Sequence, residues 1–248
     1  MSAALRPALL AASALSLIAG LGAANAQGQG GPQDFTPQGP DRDHERDFLR
    51  ASPSKIIAAE LAFARAAQDK GQWTAFAEYA DDDAVMFVTQ PVNAQSWLKG
   101  RANPPAAVRW QPHQVWSSCD GSLSVTRGAW QRPDGSVGYF TTVWQRQKKD
   151  KDGYRWVLDQ GDALAEPLAA PEMIEAKVAE CPQPMQHDTV VLDPPACTAQ
   201  GCSGGGRSGD DTLEFHYETR PDGARTFRVS MMVGGSMKQV LLSEVAAQ

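Results

Sequence analysis

Apolar residues begin to recur at regular intervals from Pro53, after a polar stretch rich in Gly and Pro. From there they return every three to four positions, which predicts an amphipathic helix that ends at Gly71. Ser52 suits the N-cap and Pro53 suits the first helical position. The segment "QWTAFAEYA" predicts a second, shorter helix, and "NAQSWLK" at 93–99 predicts a third.

Alternating apolar and polar residues then predict strands, beginning at 84–89, directly after three aspartates at 81–83. We expect these aspartates to form a solvated turn after the second helix rather than a catalytic group. Four further strands are predicted at 108–119, 122–132, 136–147 and 154–160, joined by the turns "CDGS", "RPDG" and "KDKDG". Helices followed by an antiparallel meander predict an α+β domain over residues 53–162.

Residues 163–248 show a weaker pattern, which we interpret as a helix and a small antiparallel β extension. The segment "PEMIEAKVAEC" predicts the helix, and the Gly-rich stretch at 201–209 predicts a flexible loop. Strands are predicted at 189–192, 212–220, 225–233 and 237–245. The Gly-rich stretch also fits the GxSxG and GxGxxG patterns. Neither match lies between a strand and a helix, so we assign it no catalytic or nucleotide-binding role.

Residues 1–26 have the pattern of a secretory signal peptide. The apolar run from Ala8 to Leu21 is followed by Ala24-Asn25-Ala26, the small-x-small sequence that signal peptidase reads. Residues 27–52 then form a predicted disordered linker, because their composition leaves little to bury. We therefore expect a periplasmic or secreted protein. No later apolar run approaches the ~18 residues needed to cross a membrane.

Charge and cysteine content narrow the partners further. A formal net charge of −6 argues against nucleic acid and anionic membranes, which both need clustered Lys and Arg. The four cysteines favour disulfides in an exported chain, and Cys197 with Cys202 is the easiest of the possible pairs to close. Because CxxC and paired His spacings are absent, we expect no metal. No cofactor motif stands in a fitting context, so we expect no cofactor either.

The run "AELAFARAAQDKGQWTAFAEYADDDAVMFV" resembles the opening of the nuclear-transport-factor-2-like superfamily, which includes ketosteroid isomerases and SnoaL-like polyketide cyclases. The later run "GYFTTVWQRQKKDKDGYRWVLDQGD" is similar to the last two strands of that superfamily. The resemblance covers about residues 53–162. It implies a cone in which a curved sheet and three helices enclose a deep apolar pocket. It also implies a homodimer formed through the outer face of the sheet.

The catalytic residues of the ketosteroid isomerases have no match in this chain. The position of their helix-one tyrosine falls on Phe63, that of their base on or near Val88, and that of their late-strand acid on Thr142. Phenyl and isopropyl groups transfer no protons, and a threonine hydroxyl is a poor substitute for a carboxylic acid. The resemblance therefore implies the fold without the isomerase activity.

The resemblance also assigns residues to the pocket. Strand alternation places Phe140, Thr142 and Trp144 on one face, and the match at Thr142 turns that face toward the pocket. Tyr79 should point into the cone beside Phe63 as a wall with one polar handle. The predicted pocket residues are Phe63, Tyr79, Trp97 at the mouth, Phe140, Thr142 and Trp144. Such a wall suits a flat apolar molecule with one hydrogen-bonding end.

Two carboxylates are candidates for acid–base chemistry. Glu60 lies one helical turn before Phe63 on the same face, so its side chain can reach the cavity. Most helix glutamates are solvated or paired, however, and we favour a salt bridge near the rim with Arg127 or Arg101. Asp159, at the end of the last strand, is the second candidate, and its ordinary role would be that of a turn or cap residue.

These observations predict an exported protein that binds a small apolar molecule and lacks an intact isomerase catalytic set. The alternative is an enzyme, a lyase, isomerase or hydrolase, that uses Glu60 and Tyr79 in the cone pocket. A third interpretation is a structural dimer in which residues 163–248 carry the interaction.

Overall fold

The computed structural model of the protein describes residues 50–147, 153–181 and 189–247. The predicted signal peptide, the linker up to residue 49 and most of the predicted turn at 149–153 lie outside these residues. The helices of the described part are α1 (Pro53–Lys70), α2 (Gln72–Tyr79) and α3 (Ala94–Leu98). None of them is long and apolar enough to cross a membrane.

The larger of two sheets contains seven strands. They are β1 (Ala80–Val88), β2 (Gln90–Asn93), β3 (Arg109–Ser117), β4 (Leu123–Gln131), β5 (Val137–Arg146), β6 (Tyr154–Leu164) and β7 (Glu175–Val178). Their order is β2-β1-β6-β5-β4-β3-β7. Strands β3 to β6 form the predicted antiparallel meander, whereas β1 pairs in parallel with β6 and β7 with β3. The α+β class predicted from the sequence is confirmed.

The helices cover one face of this sheet. Apolar residues of α1, among them Ile56, Phe63 and Ala67, pack with Trp144 and Trp156 of the sheet in one buried cluster. Their spacing along α1 is the helical periodicity that predicted the element. Gly71 follows α1 with a φ of 100°, a conformation that favours glycine, and its N–H donates to the carbonyl of Ala67.

The second sheet covers the opposite face of the first. Its five strands are β8 (Val191–Thr198), β9 (Gly201–Arg207), β10 (Leu213–Thr219), β11 (Arg225–Val233) and β12 (Ser236–Val245), in the order β12-β11-β10-β9-β8. Val125 and Val143 of the first sheet share a buried cluster with Phe215, Phe227 and Leu241 of the second. The outer face through which the resemblance implies a homodimer is therefore occupied by the same chain. The homodimer itself stays a prediction.

The helix predicted in "PEMIEAKVAEC" is wrong, because Glu175–Val178 forms the edge strand β7. This strand pairs in parallel with β3, and the N–H of Ala179 donates to the carbonyl of Ser117 at 2.9 Å. A disulfide between Cys119 and Cys181 holds the same segment beside the end of β3. These long-range contacts override the helical spacing of the apolar residues.

The loop predicted at 201–209 is wrong over its first part, which forms strand β9. Two of its glycines are paired with aromatic residues of β10, Gly204 with Tyr217 and Gly206 with Phe215. A Cβ atom at Gly204 would lie 2.6 Å from Tyr217 Cζ, and one at Gly206 would lie 2.9 Å from Phe215 Cε1. The glycines therefore give the two rings room to lie across β9.

The turn predicted at 81–83 is also wrong, because the three aspartates belong to strand β1. Helix α2 ends at Tyr79 and β1 begins at the next residue. The pairing of β1 with β6 shifts register between Ala80 and Val85, so the aspartates occupy an irregular part of the strand. Asp82 and Asp83 are exposed, as expected for solvated carboxylates.

Two disulfides join Cys119 to Cys181 and Cys197 to Cys202. The second is the pair predicted from the sequence, and it bridges directly paired positions of β8 and β9. Disulfides persist in oxidising compartments, so both bonds fit an exported protein.

Candidate ligand-binding site

A cavity of about 460 Å³ lies between helices α1 and α2 and the first sheet. Its apolar wall includes Phe63, Phe76, Met86, Trp110, Trp130 and Phe140. Its polar lining residues are Gln72, Arg132, Asp159, Gln160 and Asp162. Both the volume and the mostly apolar lining are those of small-molecule sites, which measure about 300–1,000 Å³.

The cavity extends to the place where β1 and β6 separate. The two strands are paired as far as Met86 and Asp159, and the residues that follow in each strand are not paired with each other. Phe87 and Val88 on one side and Gln160 on the other line the cavity beyond this point. The parting of the strands therefore brings the carboxyl group of Asp159 to the cavity wall.

Phe63 is the centre of the aromatic wall. Its ring centroid lies 4.9 Å from that of Phe76, 5.2 Å from that of Tyr79 and 4.8 Å from that of Trp110. Edge-to-face and stacked contacts at such distances fix the rings relative to one another. The apolar wall is therefore formed before any ligand binds.

Asp159 is a partly buried acid of this wall. Thr142 Oγ1 donates a hydrogen bond of 2.8 Å to Asp159 Oδ2, and the two residues are directly paired across β5 and β6. Burial raises the pKa of Asp159 to about 7; the charge of Glu60 also raises it, while the hydrogen bond from Thr142 and the charge of Arg225 oppose the rise. Near neutral pH the group can therefore donate or accept a hydrogen bond or a proton.

Glu60 is fully buried behind the aromatic wall. Its Oε1 accepts a hydrogen bond from Trp110 Nε1 at 2.7 Å, and its Oε2 accepts from Thr126 Oγ1 at 2.6 Å and from Trp144 Nε1 at 2.9 Å. Burial raises the pKa of Glu60, although all three hydrogen bonds act to lower it. The side chain thus ties α1 to strands β3, β4 and β5 instead of facing the cavity.

The salt bridge predicted for Glu60 is wrong, because its hydrogen bonds come from neutral side chains. Neither predicted partner, Arg101 or Arg127, forms a salt bridge with Glu60 in the described part of the chain. The guanidinium of Arg101 lies over the ring of Trp97, 3.4 Å from its centroid, and that of Arg127 lies 4.2 Å from the ring centroid of Tyr139.

The residues assigned to the pocket from the sequence lie in two groups. Phe63 and Phe140 line the cavity. Thr142 and Trp144 share a face of β5 with Phe140, but both are fully buried behind the wall. There Thr142 donates a hydrogen bond to Asp159, so it contacts a carboxyl group of the lining without lining the cavity itself.

Tyr79 and Trp97 belong to the surroundings of the cavity and not to its lining. Tyr79 stacks on the far side of the aromatic wall against Phe63, and burial raises the pKa of its hydroxyl, which stays protonated at neutral pH. Trp97 packs edge-on against Trp73, a lining residue, with ring centroids 5.3 Å apart.

Five aromatic lining residues were not predicted for the site: Trp73, Phe76, Phe87, Trp110 and Trp130. Trp110 and Trp130 are directly paired across β3 and β4. The turn "CDGS" sets the register of that hairpin only as far as Gln114 and Arg127. A shift between Pro112 and Gln114 then moves the pairing by one residue, so the pairing of the two tryptophans could not be read from the turn. Phe76 carried no signal either, because its orientation depends on how α2 packs against α1.

No protein-family model and no curated protein matches the chain. Among solved structures, the chain is similar to one from Novosphingobium aromaticivorans that is provisionally assigned as an aromatic ring hydroxylase. The similarity covers 46% of this chain and 91% of that chain, with 15% sequence identity and a TM-score of 0.33. A likeness at this level carries no argument about function.

Proposed function

We propose that the protein is an exported member of the nuclear-transport-factor-2-like superfamily that binds a small, flat, apolar molecule with one hydrogen-bonding end. The observation that carries the proposal is the aromatic cavity of about 460 Å³ with the carboxyl group of Asp159 in its wall. Helices on one face of a large sheet agree with the cone that the resemblance implies. The two disulfides and the predicted signal peptide support export.

The wall determines how such a ligand would lie. A flat ring system would pack against Phe63, Phe76 and Phe140, with its polar end toward Asp159. Below its pKa of about 7 the Asp159 carboxyl would donate a hydrogen bond to a carbonyl; above that pKa the carboxylate would accept one from a hydroxyl. A phenolic ring should therefore bind better at alkaline pH than at acid pH, as long as the phenol stays neutral.

The binding test uses 1-naphthol, which is flat, fluorescent and carries one hydroxyl. Val108 lines the cavity, and its backbone is held by hydrogen bonds with Gln72 and Gln68. Val108→Trp should fill the cavity and weaken binding tenfold or more while the fold survives. Val191→Trp is the matched control, because Val191 is a partly exposed valine of β8 outside the cavity. Equal affinity in both variants, or no binding by the wild type, would refute the proposal.

A second candidate is acid–base catalysis, which the pKa of about 7 at Asp159 favours. Asp159 is better placed for it than Glu60, whose oxygens are occupied by three donors, or Tyr79, which lies outside the lining. As catalyst, the Asp159 carboxylate would remove a proton next to the carbonyl of a bound flat ketone. The resulting carboxylic acid would exchange that proton with solvent and return a solvent proton to the enolate carbon, which restores the carboxylate.

Deuterium exchange at the α-carbon of 2-tetralone, followed by NMR, tests the catalytic candidate. Exchange should rise through pH 7, and Asp159→Asn should abolish it, because only the carboxylate can take the proton. Asp162→Asn is the control, since Asp162 is another carboxylate of the cavity lining. Binding of 1-naphthol without any exchange would leave the binding function and remove the catalytic one.

A further inference from the structure

A row of three polar side chains crosses the first sheet on the face that the second sheet covers. Arg127 of β4 is paired with Thr141 of β5, and Thr141 is paired with Gln160 of β6. Thr141 and Gln160 are only 0% and 3% exposed. Because directly paired residues have Cβ atoms about 4.5–5.5 Å apart, the three side chains can contact one small ligand.

Each member of this row has a buried polar atom without a hydrogen-bond partner among the described residues. The atoms are Arg127 Nη1, Thr141 Oγ1 and Gln160 Nε2. All three can donate a hydrogen bond. Buried polar atoms without a partner are uncommon in folded proteins, and three in adjacent positions require an explanation.

A second arginine comes to the row from the other sheet. Arg225 of β11 is 6% exposed, and its Nε donates to Gln160 Oε1 at 3.3 Å. Its Nη2 donates to the carbonyl of Gly161 at 2.9 Å. The Oε1 of Gln160 is thus occupied, which leaves its Nε2 group to face the row as a donor.

The charge of the row is positive. Burial lowers the pKa of both Arg127 and Arg225, yet a guanidinium stays charged in proteins. Neither arginine forms an ion pair with a carboxylate in the described part of the chain. Asp159 and Asp162 act on Arg225 only from beyond ion-pair distance. Arg225 is buried and Arg127 partly buried, and two such cations without a direct counter-charge are costly for the folded state.

We propose that Arg127, Thr141 and Gln160 bind one small monovalent anion, of the size of chloride, between the two sheets. Such an anion accepts hydrogen bonds from all three unpartnered donors and also offsets the charge of the arginines. Water would satisfy the donors but would leave the charge uncompensated. The site borders the aromatic cavity at Gln160, which also lines that cavity, but the proposal does not depend on what the cavity binds.

Thermal unfolding in sodium chloride and in sodium gluconate, at equal ionic strength, tests the site. Chloride should raise the Tm of the wild type, by about 3–6 °C at a tenfold excess over Kd. Gluconate is a much larger anion than chloride and should not. Thr141→Val and Arg127→Met should each lose the chloride-dependent rise. Arg228→Met should keep it, because Arg228 lies on the same strand as Arg225 but is exposed.

Equal Tm values of the wild type in the two salts would overturn the proposal and leave water as the partner of the donors. An unchanged chloride response in Thr141→Val would overturn it as well. That variant removes a hydroxyl that has no partner in the described chain, so it should fold even if Arg127→Met does not. Crystals soaked in bromide give a direct check, since an anomalous peak should lie beside Arg127, Thr141 and Gln160.

Discussion

The hydroxyl of Thr142 donates a hydrogen bond of 2.8 Å to Asp159 across strands β5 and β6. Thr126 Oγ1 lies 3.3 Å from the carbonyl oxygen of Thr142 and bonds to Glu60 at 2.6 Å. One polar network therefore connects a carboxyl group at the cavity with one behind its wall. Glu60 has three donors and Asp159 has one, so the two groups should respond differently to neutral replacement.

Asp159→Asn should stabilise the protein at pH 8 and have little effect near pH 4. The pKa of about 7 in the folded state lies above the ordinary value of 3.8, so the folded state binds this proton more tightly and loses stability as pH rises between those values. Each pH unit in this window removes up to about 1.4 kcal/mol. Asparagine keeps an acceptor for Thr142 and carries no charge. Urea unfolding at both pH values measures the difference, and a pH-independent effect would argue against the raised pKa.

Glu60→Gln should instead destabilise the protein at pH 8, by about 1–3 kcal/mol. Three donors point at the carboxylate oxygens of Glu60, and an amide replaces one of these acceptors with another donor. Glu78→Gln is the control, because Glu78 is exposed on α2 and pairs with Lys70. In urea unfolding, Glu78→Gln should be about as stable as the wild type. If Glu60→Gln were equally stable, the buried network would not hold α1 to the sheet.

Gly204→Ala should destabilise the second sheet by about 1–3 kcal/mol, because the new Cβ atom meets the ring of Tyr217. Tyr217→Leu removes that ring and should cost stability by itself. The double variant should lose clearly less stability than the sum of the two single-variant losses, since in it the collision no longer exists. Strictly additive losses in urea unfolding would show that the glycine does not serve the ring.

The two disulfides should differ in their contribution to stability. They close segments with sequence separations of 62 and 5 residues. Chain entropy then predicts a loss of about 4 kcal/mol for Cys119→Ser with Cys181→Ser, and about 2 kcal/mol for Cys197→Ser with Cys202→Ser. Denaturant unfolding of the two double variants measures both losses. The reverse order would contradict the loop-length account.

The meander of the first sheet could be predicted because its turns carry their own chemistry. "CDGS" and "RPDG" set the hairpins that join β3, β4 and β5, and apolar alternation set the strands within about two residues at most ends. Strand β6 runs on to Leu164, four residues beyond the predicted end at 160. That extension is paired with β5 along the sheet, so neighbouring strands and not local sequence set its length.

Strands β7 and β9 could not be predicted from local sequence. The residues of β7 are exposed, and parallel pairing with β3 and a disulfide hold them in place. The glycines of β9 are disfavoured in strands, and only the rings of Tyr217 and Phe215 on the next strand explain them. In both segments the deciding contacts come from residues distant in sequence.

The candidate site could be predicted only in part, again because some of the deciding contacts come from residues distant in sequence. Helical spacing correctly turned Glu60 toward the interior, but the number of donors that surround it depends on three different strands. Asp159 could be noted as a carboxylate at a strand end. Its place in the cavity wall depends on the separation of β1 from β6, which no residue pattern in either strand indicates.

A crystal structure of the protein with 1-naphthol tests the central proposal most directly. The proposal predicts the naphthalene ring in the cavity, packed against Phe63, Phe76 and Phe140, with its hydroxyl within hydrogen-bonding distance of an Asp159 carboxylate oxygen. A cavity filled by the protein's own side chains, or a ligand bound only elsewhere on the surface, would contradict it.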